Sequence, residues 1–244
     1  MPRFQHVIRT VLLCFGFALA GCAVAPTSEP IEPIEASKIE AFEEVVTRLG
    51  PIVTDTCETF DFVRSCRFKL FVVETEDDVS NAFQTLDGFG RPVVLVTRPL
   101  LDELRNEDEI ALVLSHEAAH HILNHLGRQK SDAAQGATIL ADAAERKGGT
   151  RQDVREARRV GAVVGRRLFA QEYELEADAL GAVMAREAGF DAINGARFFL
   201  RIPDPGNHAL NSHPPNALRR ATVRDAVLNN RMPEGALEIL LPAT

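Results

Sequence analysis

The sequence predicts an α+β fold, mainly helical, with a small antiparallel sheet packed against one central helix. Three observations predict it. Lys69–Val73 and Pro92–Val96 are short β-rich apolar runs. Leu112–Ile122 carries apolar residues at helical spacing. After it come long helical stretches with few breaks and no internal repeat.

The elements follow in order. Arg3 and Arg9 flank a basic start, and Val11–Ala20 is an apolar run of ten residues. That is too short to span a bilayer and the right length for a signal peptide. Leu19-Ala20-Gly21-Cys22 resembles the bacterial lipoprotein lipobox, which implies cleavage before Cys22 and lipidation of that cysteine. Ala23 in place of Asp implies the outer membrane over the inner one. Cys14 belongs to the removed segment. Residues 22–35, with Pro26, Pro30 and Pro33, read as an extended acidic tether, and 36–244 as the folded domain.

A helix is expected from Ala36 to about Arg48, stopped by Gly50-Pro51. Cys57 and Cys66 are either a disulfide, as an oxidising envelope favours, or two buried thiols. Asn81–Leu86 adds a third strand, joined to Pro92–Val96 by a hairpin turn at Asp87-Gly88-Phe89-Gly90. Pro99–Leu104 is a short helix, and Asn106 with Glu109 forms a capping box before the central one. Leu126–Lys147 and Arg151–Ala188 are helical on either side of Gly148-Gly149.

The chain of 244 residues carries net charge −8. Its length suits one domain with an ample core. The acidic balance argues against nucleic acid as a partner. Removing the leader takes away two arginines and no acidic residue, so the remainder is more acidic still. No later segment is apolar for long enough to cross a membrane; Val160–Ala170 is broken by Arg166 and Arg167. The expected body is soluble and held to the membrane by the lipid anchor at Cys22.

The chemistry is concentrated in His116-Glu117-Ala-Ala-His120. Two histidines four apart lie about 40° apart around a helix and roughly 6 Å along it, so both imidazoles can reach one metal ion. Glu117 stands where its carboxylate can take a proton from water at that ion. Neutral imidazoles suit Zn²⁺, one per chain, which needs a third protein ligand. Gln171–Asp178 offers Glu172, Glu174, Glu176 and Asp178. Glu174 and Asp178 share a face, so Glu174 can coordinate while Asp178 holds the far N–H of a ligating histidine. Glu172 and Glu176 read as a solvated acidic face.

With those residues the chain resembles the M48 gluzincin metallopeptidases, over roughly Asn81 to Arg220. Asn81-Ala82-Phe83 matches the family's strand beside the cleft. Glu174-x-x-Ala177-Asp178-x-x-Gly181 and Ser212-His213-Pro214-Pro215 with Arg219 match its later motifs. Leu123 and Leu126 stand where a metzincin would need glycine and histidine. The resemblance implies a zincin-like peptidase domain. It implies His116, His120 and Glu174 as zinc ligands and Glu117 as base, with Asp178 behind a ligand. It places His213 and Arg219 over the metal, and Asn81, Ala82 and Phe83 against an extended protein or peptide substrate. His213 either donates to the oxyanion or caps the metal as a fourth ligand. His121 and His125 lack a base between them; His125 is assigned to a helix C-terminus, and His208 to a polar loop.

Two functions compete. One is a zinc endopeptidase hydrolysing periplasmic or outer-membrane proteins in envelope quality control. The other is a zinc-binding assembly or chaperone-like factor with little proteolysis. A general base has no use in a pure scaffold, which favours the first. The oligomeric state stays open.

Overall fold

Phe42, Val45, Leu49, Val53 and Cys57 recur every three or four residues and are all buried, which makes one continuous apolar face on the first helix. In the computed structural model, which describes residues 33–60, 63, 65–208 and 210–229, this helix is α1 (Pro33–Glu58). The expected leader, Cys22 and the tether up to residue 32 lie outside the described residues.

The expected limits of α1 need correction at both ends. It starts inside the stretch read as tether, because proline is well suited to a first helical position. It also runs through Gly50-Pro51. Pro51 forfeits a backbone hydrogen bond and costs about 3 kcal/mol, but Leu49 and Val53 on either side are fully buried, each contributing about 1.5–3 kcal/mol. Burial wins. At its end Cys57 is bonded to Cys66, with Cα atoms 5.6 Å apart.

The three strands are β1 (Lys69–Val73), β2 (Ala82–Leu86) and β3 (Pro92–Thr97), in the order β1-β3-β2. The sheet is mixed, not antiparallel throughout. β2 and β3 form the expected hairpin, Ala82 opposite Val96 and Leu86 opposite Pro92. Its turn is fixed by Asp87, whose carboxylate accepts the backbone N–H groups of Phe89 and Arg91. β1, however, pairs parallel with β3, Lys69 opposite Val93. The physical reason lies in Val93, Val94 and Val96, all buried. An uninterrupted apolar run marks a central strand, which needs a neighbour on each edge. The hairpin fills one edge, and residues 74–81 carry the chain across so that β1 fills the other.

After α2 (Arg98–Glu103), α3 (Glu107–Ile122) runs through the middle of the core. Asn106 caps it by accepting the Glu109 N–H at 3.0 Å. The capping box is only half formed: the Glu109 carboxylate accepts the Arg105 N–H at 2.8 Å and is gripped by Arg201 at 2.6 and 2.7 Å. Asn124, in the left-handed region at φ 52°, then breaks the helix.

α4 (His125–Arg146) and α5 (Arg151–Leu168) form an antiparallel hairpin, and α6 (Ala170–Glu187) packs along α3. The break between α5 and α6 at Phe169 was not expected from the sequence. α7 (Ala192–Gly195), a 3-10 turn (Ala196–Leu200) and α8 (Asn216–Asn229) close over α3 and α6. A Cβ on Gly181 would sit 2.8 Å from the His116 backbone nitrogen, so glycine is what lets α6 approach α3 at the motif. Among the described residues no helix is long and apolar enough to cross a membrane.

Candidate metal centre

His116 and His120, one turn apart on α3, turn their Nε2 atoms to the same point, 3.1 Å from each other. Glu174 reaches that point from α6, its oxygens 3.5 Å from His116 Nε2 and 3.4 Å from His120 Nε2. Among the described residues these three form the group able to hold a metal ion. The fit can be tested from the spacings. Donors about 2.0–2.1 Å from a tetrahedral ion stand about 3.3–3.4 Å from one another. The observed separations bracket that value, and all three residues line the same cleft.

Each ligand is held from behind. His116 Nδ1 lies 2.9 Å from Asp178 Oδ1, and Asp178 is fully buried. Arg219 grips Asp178 through Nε at 2.8 Å and an Nη at 2.7 Å, its guanidinium 4.2 Å over the Phe199 ring. Arg219 thus fixes Asp178, and the same Nη also lies 3.3 Å from His116 Nδ1 and 3.7 Å from Glu174 Oε2. Burial works to lower the proton affinity of His116, but its bonds to Asp178 and Glu174 outweigh it and raise the pKa to about 10. Burial would raise Glu174, yet hydrogen bonds from His116, His120 and His213 hold it well below the usual carboxylate range.

His120 is backed differently, and here two expectations are corrected. Glu176 is not on a solvated face but fully buried, and His125 serves no helix C-terminus: it is the buried first residue of α4. His120 Nδ1 lies 2.8 Å from His125 Nδ1, whose Nε2 lies 3.0 Å from Glu176. Arg128 pairs with both oxygens of Glu176. Burial pushes His125 down to about 4, so it stays neutral. A signal for this existed. Ala177, Ala179, Leu180, Ala182 and Met184 surround α6 with apolar surface, and a helix apolar all round has no wet face on which Glu176 could sit.

Glu117, half-buried, opens into the cleft on both sides of the metal position. His213 lies beside the ligands, Nδ1 2.8 Å from Glu174 Oε2 and its side chain 54% exposed. Asn81, Ala82 and Phe83 line the wall, with Asn81 tied to Thr97 by one backbone hydrogen bond and by the Thr97 hydroxyl, which accepts the Asn81 N–H and donates to its carbonyl. On one side of Glu117 the cleft widens to about 430 Å³ among Leu112, Val113, Phe198, Phe199 and Ile202; on the other it holds about 290 Å³ beside Gln84 and Gln129. His121 is engaged elsewhere, 3.0 Å from the Ser65 carbonyl. His208 accepts the Leu210 N–H, and its carbonyl accepts from Gln171, away from the centre.

The family model described as Peptidase family M48 matches residues 48–227. The chain is similar to a Vibrio cholerae serotype O1 protein named as a beta-barrel assembly-enhancing protease, 29% identical over 174 residues, which are 67% of this chain and 34% of that protein. The chain therefore corresponds to about a third of that relative's length.

Proposed function

Since the chain belongs to peptidase family M48, we propose that it is a zinc-dependent metalloendopeptidase that hydrolyses proteins of the bacterial envelope, held at the outer membrane by lipid on Cys22. The observation that carries this reading is the convergence of His116, His120 and Glu174 with Glu117 beside them in an open cleft. The donor set of two imidazoles and a carboxylate with an open position is that of a catalytic zinc site. Zinc bound there supplies a Lewis acid that polarises the scissile carbonyl and acidifies water.

This chain's own residues do the rest. Glu117 accepts the proton of the attacking water and returns one to the leaving amine. His213 holds Glu174 Oε2 through Nδ1–H, and as an imidazolium, with both ring nitrogens protonated, it can also donate Nε2–H to a developing oxyanion. β2 is an edge strand along the cleft, so its main chain can pair with an extended peptide. The envelope as the place of work rests on the lipobox-like leader and on the name of the Vibrio relative, and protein quality control rests on that analogy.

The test uses the full chain purified in detergent, with zinc measured on parent and Glu117→Gln alike. The parent should cleave unfolded casein. The variant should keep its zinc and lose activity by about 10²–10⁴-fold. A folded, zinc-loaded parent that cleaves nothing would reject the peptidase reading in favour of a zinc-binding assembly factor.

A further inference from the structure

We infer that His125, Glu176 and Arg128 form a positioning relay that locks His120 in its metal-binding tautomer and thereby sets the strength of the metal centre. The inference rests on the metal-centre reading and concerns residues behind the ligands.

Proton accounting fixes the tautomers. A neutral imidazole carries one N–H and one lone pair. His120 can bind an ion through Nε2 only if its proton is on Nδ1. That N–H points at His125 Nδ1, 2.8 Å away, which must then be the acceptor. The proton of His125 is thereby confined to Nε2, where it donates to Glu176 Oε2 at 3.0 Å. Glu176 must accept, and Arg128, paired with both its oxygens, keeps it ionised. Each link allows one direction. In the opposite tautomer His120 would turn its N–H towards His116 and set two lone pairs against each other across the 2.8 Å contact with His125.

The surroundings fit this task better than a packing task. His125 is 1% exposed and Glu176 not at all. Burying a carboxylate in mid-helix is expensive, and an apolar residue would pack there at less cost. The rings are further fixed by Tyr173, which stacks on His125 with centroids 4.9 Å apart and an 18° tilt. Tyr173 also lies under the Arg128 guanidinium at 4.1 Å and donates its hydroxyl proton to Asp132 at 2.6 Å. The backbone serves the same end. The left-handed turn at Asn124 precedes His125, and the chain there comes back to set a residue five positions after His120 against its ring. The two histidine ligands thus have unlike supports: His116 a carboxylate directly, His120 a carboxylate through a second imidazole.

The experiment measures zinc affinity of the full chain by competition with a chromophoric chelator, with circular dichroism to confirm folding. Glu176→Gln and His125→Leu should each weaken zinc binding by about 10–100-fold. His125→Asn, whose amide oxygen can stand in for the Nδ1 acceptor, should remain within about threefold of the parent. Nitrogen-15 shifts should show the His120 proton on Nδ1 in the parent and a mixture in His125→Leu. Unchanged affinity in Glu176→Gln, or equal losses in His125→Asn and His125→Leu, would overturn the relay. A parent that binds no zinc would instead reject the metal centre itself. Should His125→Leu fail to fold, Glu176→Gln alone decides.

Discussion

Asp178 is a fully buried carboxylate, and its charge is met by two hydrogen bonds from Arg219 and by His116 Nδ1 at 2.9 Å. Burial would raise its pKa; the adjacent Arg219 charge and the His116 bond lower it. Removing one partner of a buried pair leaves the other uncompensated, so Arg219→Met should cost about 3–5 kcal/mol in urea unfolding of the metal-free protein. Arg219→Lys should lose less but not be neutral, since an ammonium cannot fork onto both oxygens and stack on Phe199. Equal stability of Lys and parent would show that the fork is unimportant. The Glu174–Asp178 pair was legible from spacing alone, because four residues put both on one face. Arg219 was not: its partner lies 41 positions away, and the sequence names it only through resemblance. His125 and Glu176 were misread for a shared reason. Glu176 was assigned to a solvated face and His125 to a helix C-terminus by local pattern, and local pattern does not report which helix faces have been covered.

At the scale of elements, close helix approach places the site. Gly181 brings α6 against the backbone of the residue that carries the first ligand, and an added Cβ would lie 2.8 Å from His116 N and 3.0 Å from its Cα. Neither atom can retreat without moving a ligand. Gly181→Ala should therefore cost about 1–3 kcal/mol and also weaken zinc binding, because His116 and Glu174 ride on the two helices being pushed apart. Gly161, in the α4–α5 hairpin, stands at an even closer approach, where an added Cβ would run into Gly136 O, but far along the hairpin from the site. Gly161→Ala should lower stability while leaving zinc affinity near that of the parent. If the two alanines lowered affinity alike, the loss would be global and not a matter of ligand placement. The strands were legible as apolar runs, but their order was not, because it is set by which strand ends up buried on both sides. The stop assigned at Pro51 failed for a related reason: local propensity yields where an apolar face continues into the core.

Across the whole molecule the chain closes around the start of α3 through charges. Glu109, 1% exposed, receives Arg201 from beyond the 3-10 turn on both oxygens, and Asp108 accepts from the Asp191 N–H and the Asn194 amide. Burial would raise the Glu109 pKa, yet the Arg201 bonds and the Arg105 N–H hold it below its ordinary value. Glu174, Glu176 and Asp178 are lowered in the same way. A carboxylate with a depressed folded pKa binds fewer protons folded than unfolded. Its contribution is complete above the ordinary value of about 4.5 and is lost as pH falls through the folded one. The metal-free protein should therefore lose stability steeply below about pH 5. Glu109→Gln isolates one share of that loss. Arg201 keeps some contact with water, its side chain 23% exposed, so the variant should be less stable than the parent by about 1–3 kcal/mol at pH 7. Urea midpoints at pH 7, 5 and 3 should show the gap closing, since below about pH 4.5 the unfolded parent takes up a proton that folded Glu109 resists, and glutamine cannot. A gap that stays constant from pH 7 to 3 would mean that the Glu109 charge is not what holds Arg201, and that the clasp works by packing alone.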